Sequence, residues 1–85
     1  MFDEIISVLK EAHGMALTRR NDNGFEVRGR RAPNLRSAQR RALVAAHTAE
    51  LAVFDTDISA EVVPTTHYLG SGAYAPVVIV AIVDR

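Results

Sequence analysis

The chain has no cysteine and no tryptophan, and a single lysine among its 85 residues. The missing cysteine removes disulfides and thiolate metal ligands together, two devices with which small domains commonly supplement a thin core. One domain of this length buries only about 60 to 65% of the surface its unfolded chain exposes, so packing or self-association must supply the remainder. The lack of cysteine also fits a cytoplasmic protein. No apolar run approaches the roughly 20 residues of a membrane-spanning helix, the longest being Ala75 to Val83. The opening Met1-Phe2-Asp3-Glu4 is acidic where a secretory signal is basic. These absences predict a soluble, cytoplasmic protein with no membrane partner.

Charge is absent only on average. The net charge is zero, yet residues 28–41 carry six arginines and no acid. Residues 1–27 carry three basic and five acidic side chains, and residues 42–85 one basic and five acidic. Arginine outnumbers lysine nine to one and alanine is abundant, which suggests a GC-rich genome and a bacterial or phage origin. A neutral mean therefore conceals a concentrated positive segment.

Phe2, Ile5, Ile6, Leu9 and Ala12 recur at helical spacing with polar residues between them, which predicts an amphipathic helix stopped at Gly14. Met15 to Arg28 alternates loosely around Asn21-Asp22-Asn23-Gly24. It reads as a β-hairpin whose loop is slightly longer than the tightest type and whose core face presents Leu17, Phe25 and Val27. Ile58 to Thr66 has strand composition, and Pro64 within it predicts an edge position. Gly70-Ser71-Gly72 marks a loop, with Tyr68 and Tyr74 placed to touch across it or to anchor an interface. In Val77 to Val83 six of seven residues are β-branched, without alternation, which predicts a central strand covered on both faces. The order is α-β-β-α-β-β: a single α+β domain over residues 1–85, with a four-stranded, mainly antiparallel sheet and two helices packed on it.

The second helix, capped by Asn34 or Ser37 and running to about Val53, has two apolar sides. At 100° per residue, Leu35, Ala38, Ala42, Ala45, Ala46, Ala49, Ala52 and Val53 form one broad stripe. Leu43, Val44, Leu51 and Phe54 fall on another, beside Arg36, Arg40 and His47. A helix apolar around most of its circumference is normally buried on more than one side. A domain this small has one core to offer, so Leu43, Val44, Leu51 and Phe54 are the expected surface of self-association.

Arg28, Arg30, Arg31, Arg36, Arg40 and Arg41 are the strongest functional lead. Guanidinium forks suit bidentate recognition of phosphate and carboxylate. Three readings stand side by side: phosphate contacts to nucleic acid, ionic pairing with a protein partner, and a plain solvated surface. Other chemistry has little support. His13, His47 and His67 show no metal-ligand spacing beyond the His47–Glu50 pair, three apart on a helix. Ser7, Ser37, Ser59 and Ser71 sit in no nucleophile-elbow motif. Asp55 and Asp57 read best as a polar turn. No cofactor is expected.

Gly24-Phe25-Glu26-Val27-Arg28-Gly29 resembles the glycine-ended strand of a BON domain, and Arg40, Ala42 and Ala46 resemble the helix that follows it. Such a resemblance implies binding at the membrane periphery. The long spacer before the helix and the apolar hairpin after it depart from that pattern, and the resemblance is not adopted. The sequence instead predicts a non-enzymatic interaction or assembly module, a small homo-oligomeric structural or accessory protein. The alternatives are a nucleic-acid binder using Arg28 to Arg41 and a small enzyme or ligand carrier with a pocket at a subunit interface.

Overall fold

The computed structural model describes residues 2–83. Asp84 and Arg85, which enter the charge count above, lie outside the described residues, as does Met1. Six elements follow one another: α1 (Asp3–His13), β1 (Ala16–Asn21), β2 (Gly24–Arg28), α2 (Leu35–Phe54), β3 (Ala60–Gly70) and β4 (Ala73–Ile82). The strands form one sheet in the order β1-β2-β4-β3, and every neighbouring pair is antiparallel. The α+β class and the α-β-β-α-β-β order are those the sequence predicts.

Local chemistry explains the element ends. Gly14 closes α1 in the left-handed conformation at φ 64°, and its N–H bonds back to the last turn. Such a conformation is cheap only for a residue without a side chain. Asn34 caps α2 by accepting a 2.8 Å hydrogen bond from the Ser37 backbone N–H. At the far end Thr56 donates 2.7 Å to the Val53 carbonyl and accepts from the Ile58 N–H, so the Asp55-Thr56-Asp57 break is a turn that satisfies its own backbone. Ser71 and Gly72 both have positive φ, and they join β3 to β4 by a two-residue turn matched to strand twist. Tyr68 and Tyr74 face each other across that hairpin with ring centroids 5.1 Å apart.

Several details differ from the sequence reading. β3 runs from Ala60 to Gly70 rather than from Ile58 to Thr66, and Leu35, read as part of the buried stripe of α2, is exposed. The β1–β2 loop is not longer than the tightest type: Asn21 pairs with Gly24, leaving two residues between. The Asn21 side chain accepts a hydrogen bond from the Asn23 N–H and does part of the work of the turn. Leu17 is exposed rather than part of the core. It sits on the outer edge strand, and Met15, just before that strand, is buried instead. The last strand starts at Ala73, four residues earlier than its apolar composition suggests.

Both helices lie on one face of the sheet. Ile5 and Leu9 of α1 and Ala45, Ala46, Ala49 and Val53 of α2 meet Phe25, Val27, Val78 and Val80 in one core. Phe25 is paired with Val80 and Val27 with Val78, so these four residues share a face. Phe2 closes the α1 end against Phe25, with ring centroids 5.4 Å apart. The strip of alanines lets α2 approach the sheet closely. Pro64 lies in β3, an edge strand, and β4 is central, as the sequence predicts.

The second face of β4 is a different matter, since the described residues contain no layer on it. Val77 is buried there, flanked in register by Arg28 on β2 and Thr65 on β3. Arginine stems commonly cover apolar neighbours. Farther along, Ile79 is half-buried and Ala81 exposed.

Candidate functional site

The outer side of α2 carries the most exposed of the helix's large apolar side chains. Phe54 is 85% exposed, Leu43 61%, Leu51 56% and Val44 54%. At 100° per residue they lie opposite the buried strip Ala38, Ala42, Ala45, Ala46 and Ala49. The two-sided helix read from the sequence is thus two-sided in the fold: one side meets the sheet, and the other meets solvent. Arg36, Arg40 and His47 are exposed on the same outer side.

Charge is polarised along this helix. Its first half bears Arg36, Arg40 and Arg41 without an acid, whereas Glu50 in its second half and Asp55 and Asp57 just beyond it stand without a base.

The six arginines of the basic segment do not form one patch. Arg28 follows the buried Val27 in β2 and therefore points to the opposite face of the sheet. It lies half-buried there, its Nε enclosed and without a hydrogen-bond partner. Arg31 is exposed in the loop, and its carbonyl accepts a long 3.5 Å contact from Arg41 Nη1. Arg36 lies one turn before Arg40 on the outer side of α2 and does not line the cleft shared by the remaining three. Arg30, Arg40 and Arg41, by contrast, converge.

These three residues line a cleft of about 390 Å³ together with His13, Met15, Val44, Ala45 and Pro76. The last turn of α1, the β2–α2 loop, the second and third turns of α2 and the start of β4 build its walls. His13 is held by a 2.7 Å hydrogen bond between its Nε2 and the Thr48 hydroxyl. Arg30 lies across Gly14, where its Nε is placed 3.6 Å from where a β-carbon would stand. Met15, Ala45 and Pro76 are buried and form an apolar floor. Among the described residues no acidic side chain lines the cleft.

Nor do the clustered arginines pair with acids elsewhere among the described residues. Among the described residues the one ion pair joins Arg20 to Asp3 at 2.6 Å, far from the basic segment in sequence. That contact holds the Asp3 carboxyl below its ordinary pKa, chiefly through the Arg20 hydrogen bond and then through its charge.

Sequence reasoning identified the arginines but not the cleft. His13, Met15 and Pro76 come from separate segments, and no spacing rule links them to Arg30 or Arg41. Among the described residues no three histidine, aspartate or glutamate side chains gather as a metal site, and no helix is long and apolar enough to cross a membrane. Known protein-family models, curated proteins and solved structures offer no match to this chain, so its functional reading rests on this geometry.

Proposed function

We propose that the chain is a non-enzymatic assembly module that pairs with a second copy of itself through the outer side of α2, the two helices running antiparallel. The observation that carries this reading is the coincidence of an exposed apolar seam with a charge gradient along the same helix. An antiparallel pair crossing at His47 places Leu51 against the partner's Leu43. It sets Phe54 beside the partner's Arg40, an arrangement in which a guanidinium can stack on an aromatic face. Asp55 and Asp57 then approach the partner's basic half, and the helix dipoles oppose favourably. A parallel pair would instead bring like charges together at both ends. Burying a large apolar side chain contributes about 1.5 to 3 kcal/mol, and the seam offers four per protomer.

Sedimentation velocity at tens of micromolar tests the reading. The wild type is expected at twice the 9.3 kDa of one chain, and L51E/F54E as a monomer with unchanged circular dichroism, since both side chains are exposed. A monomeric wild type, or a double variant that still dimerises, rejects it.

A second reading, phosphate contacts to nucleic acid by the arginine segment, draws support from the lack of acid partners for these side chains among the described residues. It expects retention on DNA or RNA that falls steeply with salt and is lost in R36A/R40A. Equal retention by that variant removes it.

A further inference from the structure

Three positive charges around one small cleft repel one another. The described structure gives Arg30, Arg40 and Arg41 no carboxylate, and only the long contact from Arg41 to the Arg31 carbonyl occupies any of their donors. The arrangement makes sense if an anion sits among them. We infer that the cleft between α1, α2 and the start of β4 is a binding site for a small organic phosphate whose apolar body rests on Met15, Ala45 and Pro76.

Two features select this chemistry. A phosphate dianion balances most of a cluster of three guanidinium groups and offers oxygens to more than one fork, whereas a carboxylate leaves most of the charge uncompensated. The floor selects the rest of the molecule. It is buried and apolar, and the volume of about 390 Å³ falls in the usual range for small-molecule sites, well beyond what a bare phosphate fills. The walls are already in place. His13 is tied to Thr48, Arg30 lies over Gly14, and Arg40 and Arg41 project from a helix capped at Asn34. The backbone and His13 are preset, and a ligand has the free arginine side chains left to order.

The site shares one edge with the proposed pairing seam, where Arg40 also meets the partner's Phe54. Only Arg40 and Val44 belong to both, and Arg30 and Arg41 lie on the α1 side. Its test can therefore fail without touching the assembly reading.

Phenyl phosphate and inorganic phosphate serve as probes in calorimetric titrations of the full-length chain. Phenyl phosphate should bind saturably and about tenfold more tightly than inorganic phosphate, because only it covers the apolar floor. R30A/R41A should weaken phenyl phosphate by about tenfold or more, and R36A, outside the cleft, by less than about twofold. R30K/R41K keeps the charge and removes the fork geometry, and it too should bind more weakly. The methyl resonance of Met15 should shift on titration in the wild type and stay fixed in R30A/R41A. Binding no tighter than inorganic phosphate overturns the inference. So does an R36A loss equal to that of R30A/R41A, which would describe a diffuse basic surface. Unaltered binding in R30A/R41A, with its fold confirmed by circular dichroism, has the same consequence.

Discussion

The His13 imidazole and the Thr48 hydroxyl lie 2.7 Å apart, a hydrogen bond that joins the last turn of α1 to the middle of α2 across 35 positions of sequence. It is partly buried, and it fixes one wall of the arginine cleft. T48V keeps the shape of the side chain and removes the hydroxyl. The expected cost is about 1 kcal/mol in urea-induced unfolding, the usual net value of such a bond. The same variant should weaken phenyl phosphate binding, since His13 loses its anchor. Stability equal to the wild type would mean that solvent replaces the bond without loss.

Gly24 is required by the sheet rather than by its backbone angles. A β-carbon there would stand 2.2 Å from the Val80 carbonyl oxygen and 3.0 Å from Ala81 Cα. Both are backbone atoms of the central strand and cannot rotate away. G24A should therefore cost about 3 kcal/mol, the upper end for overpacking, seen as a lower urea midpoint. A loss below about 1 kcal/mol would show that β2 and β4 separate easily at this point.

Charge exchange tests whether the charge gradient lies in the interface. R36E/R40E reverses the basic half of the seam and should weaken self-association. E50R/D55R/D57R reverses the acidic end and should do the same. Mixed in equal amounts, the two should form a heterodimer at least about tenfold tighter than either homodimer, because unlike ends again meet. No preference for the mixture would place the charge gradient outside the interface.

Asp3 provides a pH test. Its carboxyl is held below the ordinary value by Arg20. A depressed carboxylate adds stability that is present above the unfolded-state pKa and is lost as pH falls through the folded one. D3N should thus lower the melting temperature slightly at neutral pH, and the gap to the wild type should close as pH falls through the folded-state pKa of Asp3. Both side chains are well exposed, so the effect is small and should shrink further in high salt. A gap that persists at low pH would assign the loss to something other than the ion pair.

The elements most legible in the sequence are those whose periodicity reports burial directly. The β-branched run from Val77 marks a central strand because few other environments accept it. The alanine strip of α2 and its second apolar side separate at 100° per residue, and the fold keeps them separate. Pro64 reports an edge because it cannot donate to a ladder. Less legible are features decided by tertiary reach. Leu17 alternates correctly with its neighbours, yet β1 lies beyond the helices and leaves it exposed. Asn21 shortens the first hairpin through a side-chain bond that composition alone does not predict. The cleft is the extreme case. Its arginines are conspicuous in the chain, but its floor and His13 come from residues 13, 15, 45 and 76, which only the folded topology brings together.

The antiparallel pairing of α2 is tested most directly by engineered disulfides, for which the cysteine-free chain is a clean background. In a pair crossing at His47 the two copies of that residue face each other, within reach of a disulfide. The two copies of Phe54 stand about 21 Å apart along the axis, at about 1.5 Å of rise per residue, far beyond disulfide geometry. Under mild oxidation H47C should therefore form a covalent dimer and F54C should remain a single chain. Cross-linking of F54C as readily as H47C, or of neither, would contradict the proposed pairing.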